Sequence, residues 1–129
     1  MAEKNVIRTD RAPGPFQGAP YNQAIRVGDL VFVAGQLGIS LESGQLAGAG
    51  VQEQTEQIMA NLAAILEAAG SDLDKLVKTT VFLMDLGDFG EMNEVYARHV
   101  GDRPPARSTV QISGLPSGAL VEIEAVAHI

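Results

Sequence analysis

The segment Leu76-Val77-Lys78-Thr79-Thr80-Val81-Phe82-Leu83-Met84-Asp85 decides how the chain is read. It is rich in β-branched and aromatic residues, and Val81 to Met84 is apolar at every position. Such a strand buries both faces, which predicts a central, doubly covered strand. A helix from Asp88 to Val100 follows. Asp88 can cap it, Glu91 lies three residues on, and Phe89, Met92 and Tyr96 form its apolar side. Pro104-Pro105 forbids its continuation.

Upstream, Val51 to Ala69 is the clearest helix. Val51, Thr55, Ile58, Leu62, Ile65, Leu66 and Ala69 make one stripe at helical spacing, and Gly70 stands where a C′ glycine belongs. Ala24 to Val27 and Leu30 to Ala34 are β-rich, and Gly28-Asp29 between them suits a two-residue turn with glycine first. Gly35 to Ser40 continues extended, and Glu42-Ser43-Gly44 makes a second turn. Downstream, Ala106 to Ile112 and Val121 to Ile129 are strands joined by the turn-rich Ser113 to Gly118. Residues 1–20 form an irregular Pro- and Gly-rich arm, in which Asn5 to Thr9 could add an edge strand.

This order predicts an α+β fold: a mixed sheet with two helices packed on one face. Two helices cannot shield both faces of such a sheet, so the other is wet or covered by further subunits. At 129 residues the chain, 1–129, is expected to be a single domain. No Cys is present, which removes disulfides, thiolate catalysis and Cys-ligated metals. The polar start, Met1 to Asp10, carries no apolar signal region, and no run reaches membrane-spanning length. The expectation is a soluble, cytoplasmic protein. Net charge is −7, and the nine Lys and Arg are scattered. Nucleic acid is bound through a clustered basic field with stacking aromatics, so none is expected as a partner.

The two last strands hold the chemistry. Alternation puts Arg107, Thr109 and Gln111 in one row of the first, and Glu122, Glu124, Val126 and His128 in one row of the second. If these strands are neighbours, a guanidinium and two carboxylates share one side of the sheet. Two readings of that face stand open. It is a solvated outer surface, or it is a polar pocket with Arg107 as an anion fork and a glutamate as proton-transfer group. His99 and His128 lack partners at metal spacing. Ser108 and Ser113 lack a triad setting, and Gly35-Gln36-Leu37-Gly38 is not a phosphate loop.

Six segments, in order, resemble one family: Ala19–Ala24, Val33–Gln36, Val77–Leu83, Met92–Tyr96, Pro105–Thr109 and Val121–Ala125. The likeness is to the RidA/YjgF-type reactive-intermediate deaminases, which act on 2-iminobutanoate and 2-iminopropanoate. It implies a chorismate-mutase-like subunit, a homotrimer and active sites in the clefts between subunits. By the resemblance, Arg107 clamps a substrate carboxylate and Glu122 activates the attacking water and assists loss of ammonia. Tyr21, Ala34, Gly35, Asn93 and Thr109 line the substrate site. Ala34 stands where many members have Ser, and Thr109 where several have Cys, which points to an altered substrate range. The implied chemistry needs no metal or cofactor: imines of the 2-aminoacrylate type become 2-keto acids and ammonia. The rival readings are a non-catalytic trimer that binds small carboxylates or acts as a chaperone, and a pathway-specific deaminase of the same superfamily.

Overall fold

The computed structural model describes residues 3–129, so Met1 and Ala2 of the polar arm lie outside the described residues. The order is β1 (Lys4–Ile7), β2 (Ala24–Val27), β3 (Leu30–Leu37), α1 (Val51–Ala68), β4 (Leu76–Leu83), α2 (Phe89–Ala97), β5 (Ala106–Gln111) and β6 (Val121–His128). They form a 6-stranded sheet in the order β1-β2-β3-β6-β4-β5. Only β4 and β5 run parallel, because the helix between them carries the chain back.

Local sequence explains most elements. Gly28 takes a φ of +58° and closes the β2–β3 hairpin, pairing Val27 with Leu30. The α1 stripe from Val51 to Leu66 is buried as its spacing requires. The helix stops in a Schellman motif. Gly70, with a φ of +85°, donates to the Glu67 carbonyl at 3.1 Å, and Ser71 donates to Leu66 at 2.8 Å. The short 3-10 turn that leads into α2, Leu86–Asp88, is capped by Asp85. Its carboxylate accepts from the Gly87 amide at 2.8 Å, whereas Asp88 makes no side-chain cap. The helix also ends at Ala97, short of Val100, because Arg98 and His99 tighten into turn bonds.

The core lies between the helices and one face of the sheet. Val121, Ile123, Ala125 and Ala127 of β6 pack with Val81 and Leu83 of β4 against Ile58, Leu62, Ile65 and Met92. Each large aliphatic side chain so buried contributes about 1.5–3 kcal/mol. Buried amides pin the irregular parts. Gln23 accepts from the Thr9 amide and donates to the carbonyls of Thr9, Ala12 and Pro13, tying the arm to β2. Gln54 accepts from the Leu120 amide at 2.8 Å, fixing the entry to β6.

Two sequence expectations fail here. β5 and β6 are not neighbours, because β4 separates them. In-register partners point to the same face. Arg107 pairs with Thr79, which is fully buried under the helices, while Glu122 pairs with Phe82 on the open face. Arg107 and Glu122 therefore lie on opposite faces of the sheet. Within the single chain, β4 is covered on one face and not on both. The helices shield one face, and Phe82 is half-buried on the other. There a stripe of Val6, Ile25, Phe32 and Val126 runs across four strands, with Phe32 46% exposed. Contiguous apolar surface of this kind marks an interaction face.

Candidate active site

β3 breaks register between Val33 and Gln36, and this irregularity creates the site. Ala34 and Gly35 together stand opposite the single residue Glu124 of β6, one residue in excess, and the bulge bends the strand and brings Gly35 against Glu122. A Cβ on Gly35 would stand 2.9 Å from the Glu122 carboxyl carbon and 3.0 Å from Oε1, so glycine lets the backbone lie against the carboxylate. Further along, Gly38 meets the Gln54 backbone of α1 so closely that a Cβ would come within 2.5 Å of its carbonyl oxygen.

A cleft of about 480 Å³ opens over this point on the open face of the sheet. Glu122 and Glu124 lie at its base with Phe82, and Ala34, Gly35 and Gln36 form one wall. The N-terminal arm forms the other through Pro13, Phe16 and Tyr21. Tyr21 is fixed there, its hydroxyl accepting from the Phe16 amide at 2.6 Å. No Lys or Arg lines the cleft among the described residues. Burial, and secondarily the Glu124 charge beside it, pushes the Glu122 carboxyl above the usual carboxylate range. A carboxyl so shifted is better matched to give and take protons near neutral pH.

Arg107 forms a second cluster on the helix side. Its guanidinium carbon sits 4.9 Å from the Tyr96 ring centroid and 5.3 Å from that of Phe89. No carboxylate lies within 4.0 Å of it among the described residues, where the ion pairs are Arg11–Glu67 and His99–Glu56. Thr109 is half-buried on the same row of β5. Asn93 shares the helix stripe of Phe89 and Tyr96, and its Oδ1 is buried with no hydrogen-bond partner. Burial pushes the Tyr96 phenol up, partly offset by its bond to Thr79 and by Arg107.

The seven residues singled out in the sequence thus divide. Tyr21, Ala34, Gly35 and Glu122 meet in the cleft, while Arg107, Asn93 and Thr109 gather beneath α2 at the far edge of the sheet. Sequence reasoning missed Phe82, Gln36 and Phe16 in the first group and the two rings around Arg107 in the second. An aromatic at period seven beside a lone arginine was the available signal for those rings. His99 sits against the Glu56 carboxylate between the helices, and His128 lies at the end of β6. Among the described residues, no three His, Cys, Asp or Glu are grouped to hold a metal ion.

An α+β fold with a glycine-lined carboxylate cleft and a separate guanidinium that meets no carboxylate among the described residues defines a class, and comparison with known proteins agrees. The sequence profile of the family described as Endoribonuclease L-PSP matches residues 11–129. The chain is 48% identical over 125 residues to a RutC family protein of Pyrococcus abyssi, covering 97% of each. It is 44% identical to the human 2-iminobutanoate/2-iminopropanoate deaminase, covering 96% of this chain and 89% of that one. The crystal structure of RidA from an Antarctic Psychrobacter superposes with a TM-score of 0.91 at 42% identity, covering 97% of this chain and 99% of that one. The chain belongs to the RidA/YjgF (L-PSP) family.

Proposed function

We propose that this protein hydrolyses the C=N bond of reactive 2-imino acids, releasing 2-keto acids and ammonia, at sites formed between the copies of a homotrimer. One observation carries the reading: an unpaired guanidinium and a desolvated carboxylate lie on opposite faces of one chain. Each is half of a site for a small electrophilic carboxylate, and a second copy supplies the other half. The exposed apolar stripe around Phe32 is a natural seat for that copy.

In this arrangement Arg107 of one subunit forks the substrate carboxylate through two parallel N–H···O bonds. Glu122 of the neighbour takes a proton from water as its oxygen bonds to the imine carbon. The C=N π electrons move to nitrogen, and Glu122 returns that proton to it, giving the carbinolamine. Glu122 then takes the proton of the carbinolamine hydroxyl as C=O re-forms and delivers it to the nitrogen as the C–N bond breaks and ammonia departs. Gly35 keeps the backbone clear of the carboxylate, and Tyr21 closes the cleft on the arm side. Positioned acid–base assistance supplies about 10²–10⁴-fold, enough for imines that already hydrolyse in water. We place the activity in the cytoplasm, with the dehydratases that release such imines.

The test couples a 2-aminoacrylate-releasing dehydratase to semicarbazide trapping, with the protein expected to outcompete the trap. Arg107→Ala and Glu122→Gln should each be inactive. In a heterologous ring, a random one-to-one mixture of the two, pure trimers included, leaves about one interface in four with both native residues. A mixture regaining roughly a quarter of wild-type activity supports the shared site. No recovery from verified mixed trimers rejects it. A chain that elutes as a 13.6 kDa monomer rejects the assembly.

A further inference from the structure

Arg107 projects from β5, the edge strand of the sheet, and nothing on its own strand holds its side chain. An arginine has large rotamer entropy, so a guanidinium at a sheet edge needs an external hold to present one geometry. Here the hold is aromatic rather than anionic. Tyr96 and Phe89 of α2 lie 4.9 and 5.3 Å from the guanidinium carbon, and no carboxylate is within 4.0 Å among the described residues. A carboxylate partner would fill the in-plane N–H edges, whereas rings engage the faces of the cation, and the Tyr96 hydroxyl that also meets the guanidinium takes up only part of its five donors, leaving the rest for a ligand.

Tyr96 is itself tethered. Its hydroxyl is 2.6 Å from Thr79 Oγ1, and Thr79 is fully buried on β4. Thr79 is also the register partner of Arg107 across the parallel β4–β5 ladder. The ring under the guanidinium is therefore anchored to the residue beside the arginine's own Cα. We propose that Tyr96, tethered to Thr79, and Phe89 form an aromatic cradle that positions Arg107 as a carboxylate fork. These are positioning residues for the anion subsite, and the ligand side of the claim rests on the function proposed above.

Phe89 is 43% exposed, so replacing it does not threaten the core. The experiment compares wild type, Phe89→Leu, Phe89→Tyr and Tyr96→Phe in matched melting curves, with two readouts. One is the side-chain Nε–H signal of Arg107 in ¹⁵N–¹H spectra, assigned by its disappearance in Arg107→Lys. The other is the Kd for pyruvate, with KM and kcat on the imine alongside. Phe89→Leu should move the Nε–H signal toward the position of a free arginine. It should raise Kd and KM by about three- to tenfold with kcat within about twofold. Phe89→Tyr should restore both. Tyr96→Phe keeps the ring but frees it from Thr79 and should show a smaller shift in the same direction. An Nε–H signal and a pyruvate Kd unchanged in both Phe89→Leu and Tyr96→Phe overturn the cradle. If wild type binds no pyruvate while Phe89→Leu still moves the Nε–H signal, the cradle stands and the carboxylate reading of Arg107 falls.

Discussion

Replacing Gly35 by alanine tests the site at the point where its geometry is tightest. The new Cβ would lie 2.9 Å from the Glu122 carboxyl carbon, 3.0 Å from Oε1 and 3.2 Å from Cγ. Ordinary van der Waals contact between carbons begins near 3.5 Å, so the carboxylate must withdraw by roughly half an ångström or rotate away. All the atoms it meets belong to one flexible side chain, so the backbone need not move and folding should be nearly unaffected. Catalysis should not be. A displacement of about 1 Å at a reacting group can cost about 10²-fold. Glu122 cannot contribute more than the 10²–10⁴-fold or so of a positioned acid–base group. Gly35→Ala should therefore lose about 30- to 300-fold in kcat for imine hydrolysis, with a melting temperature close to wild type. Semicarbazide competition gives the rate and circular dichroism the melting curve. Activity within twofold of wild type in a folded Gly35→Ala would mean that Glu122 does not act from the observed position.

Arg107→Lys keeps the charge but loses the planar fork and its ring stacking, so it should be nearly as damaging to KM as Arg107→Ala, both remaining folded oligomers; full activity in Arg107→Ala would place the anion elsewhere. Glu122→Gln should raise the melting temperature at pH 8 but not at pH 4. A carboxyl whose pKa is raised in the folded state contributes stability below its unfolded pKa and loses it as pH rises through the folded value. Equal effects at both pH values would contradict the desolvation of Glu122. Ala34→Ser adds a hydroxyl to the cleft wall, and a neutral hydrogen bond is worth about 0.5–1.5 kcal/mol, so the rate on the smallest imine should rise about two- to tenfold. No change for an imine of any size would remove position 34 from the working site.

Where local rules govern, the sequence was legible. The α1 stripe, the Gly28 turn and the Gly70 terminus all follow from spacing and from backbone freedom at one residue. The rows of β5 and β6 were read correctly too, since alternation is a property of each strand alone. Strand order is not. β6 inserts between β3 and β4, a choice made by long-range pairing that leaves no mark in either strand's periodicity. That one gap carried Arg107 to the wrong face. Asp88 does stand at the N-cap position of α2 but makes no side-chain cap, because a 3-10 turn, capped by Asp85, runs directly into the helix. Gln23 and Gln54 look like surface residues in sequence, and only the irregular arm and the β6 entry they satisfy explain their burial. On the site, alternation alone singles out Glu122, whereas Tyr21, Ala34 and Gly35 come only from the family resemblance, because their meeting depends on the β3–β6 pairing and on the path of the arm. The aromatic cradle was not legible, because it depends on how α2 lies across the β4–β5 pair.

The separation of Arg107 from Glu122 has a chemical consequence. Placed side by side in one chain, a guanidinium and a carboxylate would pair. The fork would then be filled, and the glutamate would be held low, as a poor proton donor near neutral pH. On opposite faces neither is quenched. The arginine meets no carboxylate among the described residues, and Glu122, beside Glu124 and with no Lys or Arg lining its cleft, is pushed up. In the proposed homotrimer the two would come within one substrate's length only at a junction between copies, and the ligand's own carboxylate, rather than Glu122, would neutralise the arginine. The same layout disfavours a polyanion. A phosphate backbone entering the cleft would meet Glu122 and Glu124 with no lining Lys or Arg among the described residues, on a chain of net charge −7. Nucleic-acid binding draws its affinity from neutralising phosphates with clustered cations. Arg107 is a single cation between two aromatic rings, which suits one small carboxylate better than a polyanion; in the proposed homotrimer the electrophilic carbon of that ligand would face the glutamate of the next subunit.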